Sequence, residues 1–140
     1  AMALGLDAVQ LHGRVEELDW AKFLPGVFVI RVFHMTPDEE KNASTLHDAL
    51  RPGYHHILLL DTANQGGQDG GSGASFNWSH VSNIPVPFLI AGGLTPDNVQ
   101  EALTRSLAAG VDTSSGVETE GQKDTAKITA YVETARRALS

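Results

Sequence analysis

The sequence predicts an α/β fold organised on a parallel sheet. Three observations carry this. Short apolar runs without polar alternation recur along the chain, as expected of strands covered on both faces. Amphipathic helical stretches separate them, giving a strand-helix order repeated five times. Polar residues and two glycine-containing corners fall at or just after the ends of those runs, which is the ligand-binding edge of such sheets.

Taken in order, residues 6–11 (LDAVQL) form the first strand candidate, with His12 and Gly13 at its end. Residues 15–24 read as a helix with Val15, Leu18 and Phe23 inward, stopped by Pro25-Gly26. Residues 27–33 (VFVIRVF) form the strongest strand by β-branched and aromatic content. Its one charge, Arg31, reads as a strand-end or edge residue whose head reaches water. Thr36 then caps a helix expected to reach Leu50, with acids in its first turn and Arg51-Pro52-Gly53 as the break. His47 falls on its packing face.

Residues 56–60 (HILLL) run directly into Asp61-Thr62. A carboxylate there either satisfies backbone donors at a turn or serves chemistry. The polar stretch 63–75 holds five glycines and no core formers, so it is expected to be disordered or a cover over a site. Asn77-Trp78-Ser79 opens a short helix to about Ile84, anchored by Phe76 and Trp78.

The run 87–99 (PFLIAGGLTPDNV) reads as a buried strand, a glycine corner and a helix start. Gly92 and Gly93 permit backbone angles closed to other residues. Thr95 suits the N-cap, Pro96 the first helical position and Asp97 the positive helix end. First-turn N–H groups of that helix then point to where the strand ends, a setting suited to a phosphate or simply to a tight strand–helix turn whose glycines serve geometry alone. The helix should run to about Leu107. Residues 108–112 (AAGVD) are a fifth strand, and 113–118 a second glycine/serine corner. Asp124 caps a last helix whose apolar face is Ile128, Tyr131, Val132 and Ala135.

At 140 residues the chain is long enough for one domain with a real core. Its net charge of −7 argues against a large nucleic-acid footprint. The lack of cysteine removes disulfides and thiolate metal sites, and no apolar run approaches the ~20 residues of a membrane span. No cluster has metal-ligand spacing. Ala1-Met2-Ala3 reads as a cloning scar, leaving 4–140 as the folded part. His12, Arg31, Asp61 and Asp112 all lie near the expected ligand edge, and His12 is a candidate contact. His34, His55, His56 and His80 are read as structural or surface residues.

Read together, the runs QLHG (10–13), LLLDT (58–62), GGSG (70–73), FNW (76–78), AGGLTPDNV (91–99), GVDTSSGVE (110–118) and GQKD (121–124) resemble phosphoribosylanthranilate isomerase. They stand in the family's order and cover nearly the whole chain. The resemblance implies a cytoplasmic (β/α)8 barrel enzyme of tryptophan biosynthesis, without metal or organic cofactor. The reaction it implies is the Amadori rearrangement of N-(5′-phosphoribosyl)anthranilate to 1-(2-carboxyphenylamino)-1-deoxyribulose 5-phosphate.

By the same resemblance Asp61 is the general acid that opens the ribose ring. Gly92, Gly93, Ser114, Ser115 and Gly116 hold the phosphate, and Asp112 positions the substrate. Gly71 and Gly73 belong to a closing loop; His12 and Arg31 are further candidate substrate contacts from their strand-end positions, not from the resemblance. Thr113 stands where the family usually has valine, a change expected to be tolerated. A complete barrel has eight strands in ~200 residues or more; this sequence supplies about five, matching the family's strands four to eight. The family's general base is a cysteine on its first strand, and this chain has no cysteine. The chain alone is therefore expected to be nearly inactive. Its open sheet edges are expected to pair with the N-terminal barrel segment or a second copy. The alternative is a non-catalytic phosphate-binding or interaction module derived from such a barrel.

Overall fold

A five-stranded parallel sheet runs through the chain in sequence order, as successive units of a (β/α) barrel do. The computed structural model describes residues 4–12, 26–35, 43, 44, 46, 56–61 and 77–140. The expected helix 15–24, most of the helix 36–50 and the glycine-rich stretch 63–75 lie outside them. The strands are β1 (Ala8–Leu11), β2 (Phe28–His34), β3 (His56–Asp61), β4 (Phe88–Ala91) and β5 (Gly110–Val111). The register pairs Leu11 with Arg31, His34 with Asp61, Asp61 with Ala91 and Ile90 with Val111.

Strand alternation divides the apolar residues between two faces. Leu58, Leu60, Phe88 and Ile90 point to one side and pack with Val99, Ala102, Leu103, Tyr131 and Ala135 from the helices. Val32, Leu59 and Ala91, with Ile30 and Leu89, form a smaller cluster on the other side. Burial on both faces explains why these strands show no polar alternation.

Helix α1 (Val99–Ser106) buries Val99, Ala102, Leu103 and Ser106, the i, i+3, i+4, i+7 face. It begins later than the sequence predicts. Residues 95–98 form a preceding turn in which the Thr95 hydroxyl accepts from the Asp97 N–H (3.3 Å). The Asn98 side chain folds back over that turn, accepting from the Thr95 N–H (2.8 Å) and donating to the Gly93 carbonyl (3.0 Å). Thr95 thus satisfies a backbone donor as a cap would, one turn ahead of the regular helix. The helix ends at Leu107, which adopts left-handed backbone (φ 60°).

The segment expected to be helical to Ile84 is a four-residue 3-10 turn, Trp78–Val81. Asn77 caps it by accepting from the Ser79 N–H (3.2 Å). Arg105 of α1 donates to Asn77 Oδ1 (2.9 Å) and Ser79 Oγ (3.3 Å), fixing the turn against the helix. An antiparallel hairpin that the sequence reading missed joins β6 (Glu118–Thr119) to β7 (Gln122–Lys123). Glu120 and Gly121 both have positive φ (51° and 74°), the geometry of a two-residue type I′ turn.

Helix α2 (Thr125–Ala138) starts at Asp124, whose carboxylate accepts from Ala126 and Lys127 N–H. Its apolar face is only half buried. Tyr131 and Ala135 are in the core, whereas Ile128 and Val132 remain 39% exposed. They border a groove of about 490 Å³ beside β5, lined also by Val111 and Val117.

Arg31 also departs from expectation. It lies in β2, between β1 and β3, and is 3% exposed, so it is neither an edge residue nor a snorkelling one. Its guanidinium sits 5.3 Å from the centroid of the Phe33 ring. Such a contact accommodates a delocalised cation within apolar surroundings.

Candidate functional site

The C-terminal ends of β3, β4 and β5 meet around one cavity of about 190 Å³. Asp61 enters it from the last position of β3. Gly92 and Gly93 follow β4 directly, with φ of 94° and 63°, left-handed values that favour glycine. Asp112, Thr113, Ser114 and Ser115 follow β5 and close the cavity opposite Asp61. Six of the sequence-derived candidates therefore share one space: Asp61, Gly92, Gly93, Asp112, Ser114 and Ser115.

The two corners are locked together by close backbone approach. The Thr113 hydroxyl donates to the Leu94 carbonyl at 2.7 Å. Gly116 packs so tightly on the same residue that an added Cβ would overlap the Leu94 carbonyl. Gly116 thus supports the site through contact with the first corner. The Asp112 N–H donates to the Ile90 carbonyl at 2.9 Å, carrying the sheet pairing up to the rim.

A cation stands at the second corner that sequence reasoning did not single out. Lys123 Nζ donates to the Ser114 carbonyl (2.9 Å) and its Oγ (3.2 Å), and pairs with Glu118 (2.6 Å). The hairpin β6–β7 places it there; it stands within the GQKD run, but its role at the corner follows from that turn. With its three donors taken by the Ser114 and Glu118 oxygens, and lying on the neighbouring groove and not in the cavity lining, Lys123 braces the second corner.

At the opposite side of Asp61 the structure brings together two histidines. His34, the last residue of β2, stands beside Asp61 with Nδ1 3.2 Å from Oδ2. His12, just past β1, has its ring centroid 6.0 Å from that of His34. His12 Nε2 is 3.0 Å from the Gln10 amide nitrogen. His34 was missed because the apolar run ends at Phe33. The signal was its position: it ends its strand as Asp61 ends the next.

Arg31 is not part of this cluster. It is three residues before His34, so alternation turns it to the opposite, helix-facing side of the sheet. Gly71 and Gly73 lie outside the described residues. Among the described residues no three His, Asp or Glu side chains converge as a metal site. No described helix is long and apolar enough to cross a membrane.

Comparison with known proteins gives the arrangement a family. The family model for N-(5′-phosphoribosyl)anthranilate isomerase matches residues 1–134. A multifunctional tryptophan biosynthesis protein of Schizosaccharomyces pombe is 44% identical over 92% of this chain, which spans 15% of that protein. An N-(5′-phosphoribosyl)anthranilate isomerase of Eremothecium gossypii is 42% identical over 95% of this chain. The chain spans 63% of that isomerase. The solved phosphoribosylanthranilate isomerase of Thermococcus kodakaraensis superposes with a TM-score of 0.67 at 31% identity, over 94% of this chain and 64% of that one. With its parallel sheet, its shared cavity and its corner motifs in order, the chain belongs to the N-(5′-phosphoribosyl)anthranilate isomerase family.

Proposed function

We propose that this chain carries the acid and the phosphate grip of a phosphoribosylanthranilate isomerase. The observation that carries the reading is the single cavity shared by Asp61 and both corners. A sugar phosphate seated with its anion at Gly92, Gly93, Ser114 and Ser115 would extend toward Asp61. There the carboxyl protonates the ribose ring oxygen, the ring opens, and the Amadori rearrangement proceeds to the 1-deoxyribulose 5-phosphate. Asp112 borders the same space and positions the rest of the substrate, whereas His12 stands beyond His34 and does not line the cavity. A related solved isomerase, 26% identical, was determined with reduced 1-(o-carboxyphenylamino)-1-deoxyribulose 5-phosphate bound, a ligand of the chemical class this cavity suits.

The base that removes the sugar proton comes from outside this sequence, which has no cysteine. General acid–base groups contribute about 10²–10⁴ in rate, so the chain alone is expected to turn over weakly or not at all. Activity then needs the N-terminal barrel segment, or a second copy, against the outer strands β1 and β5. The exposed Ile128 and Val132 beside β5 support a packing partner there.

A direct test mixes this chain with the N-terminal segment of an isomerase relative and follows loss of phosphoribosylanthranilate fluorescence. Restored turnover is the expected result. A complex that forms and stays inactive would favour the second reading, a phosphate-binding module without chemistry. That reading draws support from the phosphate corners, which lie wholly within residues 91–116.

A further inference from the structure

We propose that His34 is the positioning residue for Asp61. It would hold the carboxyl oxygen Oδ2 through an Nδ1–H donor and so set the rotation of the carboxyl at the cavity rim. The inference rests on the reading of Asp61 as the ring-opening acid and deepens it.

Three observations support it. His34 and Asp61 are register partners at the ends of neighbouring strands, so their side chains rise from the same sheet face at the cavity rim. The Nδ1–Oδ2 separation is 3.2 Å, at the outer limit of hydrogen-bond distances. Exposure is graded: the Asp61 side chain is 22% exposed and that of His34 60%, so the carboxyl is largely enclosed while the ring reaches water.

Geometry adds a reason for the pairing. A carboxyl at a strand end can rotate about its last bond, and a rotated carboxyl misses the ring oxygen. A donor on Oδ2 restrains that rotation, and misplacement by about 1 Å can cost ~10² in rate. Among the described residues, titratable groups near the pair include His12 from the end of β1 and Asp112, which lines the same cavity as Asp61. His12 packs its ring near that of His34 on the side away from Asp61, limiting the directions in which His34 can swing.

The test has two parts. The first uses the chain as it stands, with ¹⁵N-labelled histidine and long-range proton–nitrogen spectra at a pH where the ring is neutral. His34 is expected in the Nδ1–H tautomer, and Asp61→Ala is expected to return it to the more common Nε2–H form. An Nε2–H ring in the parent, indifferent to Asp61→Ala, overturns the pairing.

The second part uses the chain assembled with an N-terminal isomerase segment. His34→Ala should lower kcat about tenfold or more with KM unchanged, the effect of losing one hydrogen bond to a carboxyl that gains negative charge as its proton leaves. His34→Asn, whose amide N–H stands near the place of Nδ1, should restore most of that loss. Equal turnover in all three, or an Asn variant no better than Ala, overturns the positioning role. An assembled parent that never turns over would instead strike at the isomerase reading, while the tautomer still decides the pair.

Discussion

The Thr113 hydroxyl donates a 2.7 Å hydrogen bond to the carbonyl of Leu94, joining the corner after β5 to the corner after β4. Where the resemblance leads one to expect valine, threonine supplies a polar tie between the two corners. Thr113→Val should cost about 1 kcal/mol, since the Leu94 carbonyl loses a partner. Gly116→Ala should be worse, about 1–3 kcal/mol, because the methyl would overlap that carbonyl. Denaturant unfolding of both variants, with inorganic phosphate titrated into each, checks the order. A Gly116→Ala protein as stable as the parent would show that the corners are not tightly packed.

Asp61→Asn removes the transferable proton while keeping the side chain's shape. In the assembled enzyme it should abolish ring opening and leave phosphate affinity near that of the parent. Measured turnover equal to the parent would remove Asp61 from the acid role.

Tyr131 is 6% exposed, and its hydroxyl is buried without a hydrogen bond. Burial pushes the phenol well above its ordinary value, and the Asp112 charge adds to the shift. The unfolded chain therefore loses this proton first. Stability should be unaffected by Tyr131 below about pH 10 and should fall as pH rises beyond it, where only the unfolded phenol ionises. Tyr131→Phe should lessen that alkaline loss and, near neutral pH, change stability by no more than about 1 kcal/mol. Thermal melts from pH 8 to 11 on both proteins decide it.

On the acid side the corresponding group is Asp124. Hydrogen bonds from the Thr119 hydroxyl and from the Lys127 and Ala126 N–H groups hold its carboxyl below the usual value. A depressed native pKa stabilises above the unfolded value and is lost as pH falls through the native one. Melts should therefore drop below about pH 4, and Asp124→Asn should flatten that limb while lowering Tm slightly at pH 7.

The sheet presents β1 on one side and β5 on the other, and large apolar side chains such as Ile128, Val132 and Phe28 are exposed. Self-association is expected, and it should diminish when an N-terminal isomerase segment is added. Light scattering that shows a monomer at all concentrations, with fixed near-ultraviolet dichroism, would contradict this.

How much of this was legible beforehand depended on the physics at each residue. The strand 88–91 was readable because burial on both faces leaves no polar residue to confuse the run. Asp61 stood out because a carboxylate ends such a run. Arg31 misled because sequence cannot say which strand is central, and a guanidinium over Phe33 can sit inside. His34 was missed because its meaning lies in cross-strand register, which no local window contains. The hairpin at 118–123 escaped notice because Glu120-Gly121 lacks the Asn-Gly signature of a type I′ turn. Ile128 and Val132 had the right helical spacing, yet spacing does not reveal whether a neighbour covers that flank.

The crowding of Gly116 on Leu94 has an evolutionary corollary. On the proposed reading, the residues that would seat the anion lie within 91–116, while the proton-removing base would come from another segment. A lineage that lost or exchanged the front of such a gene would inherit a ready-made handle for sugar phosphates. New chemistry would then require rebuilding only the half that was lost.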